Sequence, residues 1–200
     1  MAVLYTTVAK EAHVEQTIEK SRFLAHIKPV QSREEAEEYI RSIRAQYRDA
    51  THNVPAFVIG EKQQIQWGSD DGEPGGTSGT PMAVYLAKEG LTNVVVVVTR
   101  WFGGIKLGPG GLVRAYTSSA RMAVEAAGRL EVREYKTLRL RIDYSLLGRL
   151  QTMEKNMPFE ISGISYTDKV ELTVSFEPEA SDSVIPALAD LCGGLPENVL

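Results

Sequence analysis

Two hundred residues, 43% hydrophobic and 24% charged, can bury a core and exclude a disordered chain. A net charge of −4 with a pI near 5.5 argues against a binder that grips nucleic acid by bulk charge. One cysteine, Cys192, excludes an internal disulfide and a cysteine-based zinc cluster, and fits a reducing compartment.

The N-terminus lacks the basic start and long apolar stretch of a signal peptide, and the most apolar run, residues 94–98, is too short to cross a bilayer. A cytoplasmic protein without membrane contact is expected. The charge is uneven. Residues 1–135 are neutral, and residues 136–200 carry the whole −4. Within 91–133, six basic residues (Arg100, Lys106, Arg114, Arg121, Arg129, Arg133) face only Glu125 and Glu131. A polyanion would meet this stretch; the acidic C-terminal part suits a protein partner.

In chain order, residues 13–29 alternate as strands, with Phe23, Ala25 and Ile27 on one face. Ser32 and Glu35 form a capping box opening a helix with Ala36, Tyr39, Ile40, Ile43 and Tyr47 on one stripe. Residues 53–60 and 64–68 read as a strand pair. A glycine-rich loop follows, then Thr80 as N-cap and Pro81 at the first helical position of a helix ending at Gly90. Residues 93–99 are β-branched enough for a strand buried on both faces, with Arg100 at its end. A second glycine-rich loop over 103–111 leads into a helix carrying Leu112, Ala115, Tyr116, Ser119, Met122, Ala123 and Ala126, closed by Gly128. A charged linker is expected over 129–136. Then come a strand over 136–144, a helix capped by Ser145, a hairpin over 161–176 and a helix over 181–191. That β-α-β-β-α order is a ferredoxin-like unit without its last strand.

The two loops are the candidate site. Each feeds a helix N-terminus, whose unpaired N–H groups and partial positive charge suit an anion, phosphate first. Gly75, Gly76, Gly110 and Gly111 let a ligand approach the backbone, and Thr77 and Ser78 either donate hydroxyls to a phosphate or cap the helix. Arg100 and Arg114 are the best anion contacts, with Arg121 on the face of Arg114 and Lys106 at a loop tip. Arg114, placed in the first helical turn, is unfavourable for the helix dipole and wants an anion. The competing reading is an internal clasp of Arg100 and Arg114 to Asp70, Asp71 or Glu73. Those three carboxylates either hold a hard cation such as Mg²⁺ or bond loop N–H groups. Trp101 and Phe102 either stack on bases or join the core; Tyr116 reads as core, and His52 as acid/base group or hydrogen-bonded structural residue. No Gly-x-Ser-x-Gly elbow and no P-loop occurs.

These stretches resemble the IMPACT family, known in bacteria as the YigZ family. The likeness is carried by residues 20–23 (Lys-Ser-Arg-Phe), His52 with Ala56, residues 69–74 (Ser-Asp-Asp-Gly-Glu-Pro) with Gly76, Thr77 and Gly79, and the long block from Arg100 to Tyr116. It implies a two-domain α+β protein. Residues 1–132 would be an α/β sandwich of ribosomal-protein type, similar to domain IV of elongation factor G. Residues 136–200 would be a ferredoxin-like domain similar to the last domain of that factor. The resemblance also links eukaryotic relatives to translational control, through a separate N-terminal domain this chain lacks.

The expected function is therefore a non-catalytic binder of RNA or the ribosome in translation or its regulation, without cofactor. The alternative is a Mg²⁺-dependent enzyme on a phosphorylated small molecule or nucleotide.

Overall fold

A computed structural model describes residues 3–194. The chain divides into two compact units, Leu4–Val132 and the described residues from Arg133 onward, with Val3 belonging to the second.

The first unit opens with β1 (Val3–Val8), an element that the sequence pattern does not announce. The hairpin β2 (Ala12–Ile18) and β3 (Ser21–Pro29) follows, then α1 (Arg33–Gln46). The capping box is present in altered form. Ser32 Oγ accepts from Glu35 N at 3.2 Å, but the return bond runs from Gln31 N to Glu35 Oε2. Next come β4 (His52–Ile59), β5 (Ile65–Gly68), α2 (Gly79–Lys88), β6 (Val94–Trp101) and α3 (Gly108–Ala127). Gly90 ends α2 at φ +72°, with Leu91 N reaching back to Leu86 O. Residues 129–136 are not simply a linker: β7 (Arg129–Arg133) pairs with β1, because Gly128 at φ +72° turns the chain out of α3 straight into an extended run.

Five strands form an antiparallel sheet in the order β2-β3-β6-β4-β5. β6 is central and its alternation is used on both faces. Val95 and Val97 pack under α1 with Ile40, Ile43 and Phe57; Val94, Val96 and Val98 pack under α2 and α3 with Leu86, Tyr116 and Ala120. All five valines are fully buried, worth roughly 1.5–3 kcal/mol each against exposure. This helix–sheet–helix sandwich holds Arg100, two residues past Val98, in register with Phe23 of β3 and His52 of β4.

The second unit runs β8 (Lys136–Ile142), α4 (Tyr144–Glu154), β9 (Glu160–Tyr166), β10 (Val170–Phe176) and α5 (Ser181–Cys192). Helix α4 starts earlier than expected, with Asp143 rather than Ser145 at the N-cap. Its sheet is antiparallel in the order β8-β10-β9. One face, with Leu138, Leu140, Ile142 and Val174, meets Leu150 of α4 and Leu188 of α5.

Candidate functional site

The first glycine-rich loop closes on itself. Asp70 Oδ1 accepts from the N–H groups of Ser78 and Gly79 at 3.1 and 3.0 Å and from Ser78 Oγ at 2.7 Å, and Oδ2 accepts from Gly76 N at 2.7 Å. Partial burial pulls this carboxyl upward. The Ser78 hydroxyl and the three backbone donors outweigh it and hold the group below the usual carboxylate range. The anion at the start of α2 is thus the chain's own. This corrects the expectation that Gly76, Thr77 and Ser78 await an external phosphate; Thr77 Oγ1 also turns inward, to Pro74 O at 2.7 Å. Gly75 lies in the same turn. Thr80 is not the N-cap and Pro81 is not the first helical residue, because the helix begins at Gly79 behind Ser78. The approach there is backbone on backbone: a Cβ on Gly79 would sit 2.5 Å from Ser69 N.

Asp71 and Glu73 also have partners of their own. Asp71 bridges Arg44 at 2.7 Å and accepts from Asn53 N. Glu73 is buried; its Oε1 accepts from Arg100 Nη1 at 2.6 Å and from Tyr116 Oη at 2.7 Å. The expected Mg²⁺ set of Asp70, Asp71 and Glu73 therefore does not converge, and no metal-binding group of three or more His, Cys, Asp or Glu occurs among the described residues.

Arg100 is a correction too. Its side chain is 5% exposed, clasped to Glu73, with Nη2 donating to Ser21 Oγ at 3.2 Å. Its charge is neutralised inside the protein, which is the internal clasp and not the anion contact. Nε is buried without a partner. Tyr116 is fully buried edge-on to Phe23, and burial first, then its bond to Glu73, push its phenol far above the usual range. His52 stands at the mouth of this cluster. Its Nδ1 lies 2.7 Å from Asp71 O, and since a carbonyl only accepts, Nδ1 carries the proton. Nε2 is 3.9 Å from Glu73 Oε1.

The second loop behaves differently. Helix α3 begins at Gly108, so Gly110 and Gly111 lie inside its first turn rather than in the loop. No side chain caps it: Leu107 occupies the N-cap, and Pro109 supplies the fixed φ of a helix start without a donor. Arg114 is the seventh helical residue, beyond reach of the dipole penalty inferred for it. Among the described residues no carboxylate pairs with Arg114 or Lys106. They line one cavity of about 420 Å³ with Glu19, Leu107 and Gly111. Lys106 and Leu107 also line a neighbouring cavity of about 400 Å³, with His52, Glu73, Arg100, Phe102, Gly108 and Pro109 around it. Arg121 shares the outer face of α3 and stands 3.9 Å from Glu125, an exposed pair of little energy.

Of the two aromatics after Arg100, neither enters the core. Trp101 donates from Nε1 to Asp49 Oδ2 at 2.8 Å and lies under the Arg22 guanidinium. Phe102 is 46% exposed, 5.5 Å from the Arg100 guanidinium. Sequence reasoning misses Ser21, which accepts from Arg100 and from Gly103 N. Its signal is Gly103: any Cβ there would strike Lys20 O at 2.0 Å, so loop and hairpin touch. It also misses Gln16, which holds Ser118 and Ser119 of α3 at 2.9 and 2.6 Å.

The Impact N-terminal domain model matches residues 19–124, and a domain of unknown function, DUF1949, matches residues 140–195. The IMPACT family member YvyE of Bacillus subtilis is 39% identical over 190 residues, covering 95% of this chain and 88% of that one. A crystal structure described as that of an hypothetical protein aligns over 97% of both chains at 30% identity, with a TM-score of 0.63. A structure of the two-domain translational regulator Yih1 aligns over 62% of this chain and 47% of that one at 30% identity, with a TM-score of 0.39.

Proposed function

The chain belongs to the IMPACT family, and on that premise we propose that it is a non-catalytic RNA- or ribosome-binding protein of translational control, gripping phosphate at the start of α3. The observation that carries this reading is the uncapped α3 N-terminus beside two cations that have no carboxylate partner among the described residues. Lys106 and Arg114 are the phosphate contacts, the N–H groups of Gly108, Gly110 and Gly111 add donors, and Arg121 extends the track along the helix. Arg100 has another duty: it fixes Glu73 and the end of β6 beneath the site.

Translation as the setting rests on family membership, through the link that the resemblance draws for eukaryotic relatives. The helix–sheet–helix layering supports a ribosomal-protein-type sandwich like domain IV of elongation factor G, and the β8-β10-β9 order supports a ferredoxin-like second domain. The acidic second domain would recognise a protein; it offers a cavity of about 540 Å³ lined by Tyr135, Phe159, Glu160 and Glu177. The alternative of a Mg²⁺-dependent enzyme loses support with the dispersal of Asp70, Asp71 and Glu73.

Filter binding to structured RNA at two salt concentrations tests the reading. The double variant Lys106→Ala/Arg114→Ala should lower the slope of log affinity against log salt by about 2, since two phosphate contacts disappear. Equal retention of variant and wild type, or none by either, rejects it.

A further inference from the structure

The His52–Glu73–Arg100 cluster is not used by phosphate binding, yet it forms the polar end of a cavity of about 400 Å³ whose other walls include Phe102, Pro74, Pro109 and Leu112. We infer that this cavity is a guanine-base pocket; the inference rests on the phosphate reading above and places the base beside it.

The polar end offers acceptors. Glu73 Oε1 is taken by Arg100 and Tyr116, but no donor among the described residues reaches Oε2, which is not among the buried atoms left unpartnered and so keeps access to the cavity. His52 donates from Nδ1 to Asp71 O, so its neutral tautomer is the one with a lone pair on Nε2. A ligand held here must bring hydrogen-bond donors. It need not bring positive charge, because Arg100 already balances Glu73 at 2.6 Å. Among the four RNA bases, guanine alone carries two adjacent donors, N1–H and the N2 amino group. Adenine and cytosine set an acceptor beside their amino group, and uracil flanks its one N–H with two carbonyls, each of which would face Glu73 or His52 repulsively.

The remaining walls suit a flat ring. Phe102 is a large aromatic left exposed at the cavity, its backbone N–H fixed by Thr51 Oγ1 at 3.0 Å and the Arg100 guanidinium behind it. Such a surface stacks a base. Lys106 lines both this cavity and the one holding Arg114, so a base in the first would set its phosphate toward the second.

Calorimetric titration with GMP, AMP, CMP and UMP, and with single-stranded oligonucleotides of G, A and U, tests this. GMP should bind about tenfold more tightly than the other three, and Phe102→Ala should weaken all four, GMP included, by about tenfold. Glu73→Gln, which places a donor where an acceptor stood, should lose the preference for GMP; since that change also unpairs buried Arg100, the preference of the wild type and its uniform weakening by Phe102→Ala carry the test if the Glu73 variant does not fold. Preference for GMP together with preference for G oligonucleotides makes RNA the source of the base. Preference for GMP with no oligonucleotide binding keeps the pocket, makes a free guanine nucleotide its ligand and rejects the RNA reading. Salt-sensitive RNA binding with no base preference overturns the pocket and leaves the phosphate site standing. No binding of any probe overturns both.

Discussion

Two glycine-rich loops feed two helix N-termini in the same unit, and only one of them is finished. At α2 the carboxylate of Asp70 collects three backbone N–H groups and the Ser78 hydroxyl, so the local demand for an anion is met within the chain. At α3 no side chain caps the start, Leu107 stands where a capping residue would be, and Lys106 and Arg114 stand by it without a carboxylate among the described residues. The same motif type is closed by the chain itself in one place and left uncapped in the other, where phosphate binding is proposed. What separates them is a single carboxylate, nine residues ahead of Gly79.

That contrast can be broken from either side. The largest effect belongs to Glu73→Ala, which strands buried Arg100 and Tyr116 and should cost about 3–5 kcal/mol in a urea unfolding curve. Asp70→Ala should cost about 2–3 kcal/mol by the same measurement, since it uncaps α2 and leaves part-buried donors without a charged acceptor. Its wild-type carboxyl lies below the usual range when folded. Its stabilisation is therefore complete above the unfolded carboxylate pKa and fades as the pH falls through the folded one. An acid titration of the unfolding midpoint should show the Asp70→Ala variant losing less over that window than wild type.

A second pH effect lies at higher pH. Burial first, then the neighbouring His13, lowers His26 to about 4, against a weaker opposing pull from Glu11, and its ring lies 5.1 Å from Tyr47. The unfolded chain binds that proton first, so the unfolding midpoint should decline as the pH drops from about 6.5 towards 4, and His26→Phe should flatten the decline. The smallest effect on stability belongs to Lys106→Ala/Arg114→Ala, within about 0.5 kcal/mol of wild type, although it removes the contacts on which RNA binding is proposed to depend.

Much of the fold is legible because hydrophobic period and cap chemistry agree along the chain. Residues 94–98 announce a strand covered on both faces, and Ser32 with Glu35 announces α1. β1 and β7 are not legible, since each is stabilised by the other from opposite ends of the first unit and neither has a buried stripe of its own. The start of α3 is masked by glycine. Three glycines and a proline read as loop, whereas Pro109 pre-sets the helical φ and the turn tolerates Gly110 and Gly111 because a buried stripe of Leu112, Ala115, Tyr116 and Ala123 anchors the helix behind them. That shift removes the dipole argument for Arg114 while leaving its side chain without a carboxylate partner among the described residues. For Arg100 the sequence supplies both readings, ligand contact and internal clasp. Position decides between them, because a guanidinium buried in β6 two residues past its run of valines is kept there only with a counter-charge, and Glu73 is that charge.

The most direct test of the contrast is an amide NMR titration with inorganic phosphate and then a short structured RNA. The account predicts shifts at the N–H groups of Gly108, Gly110 and Gly111, with Gly76, Ser78 and Gly79 unmoved. Unshifted signals at α3, or shifts of equal size at α2, would contradict it.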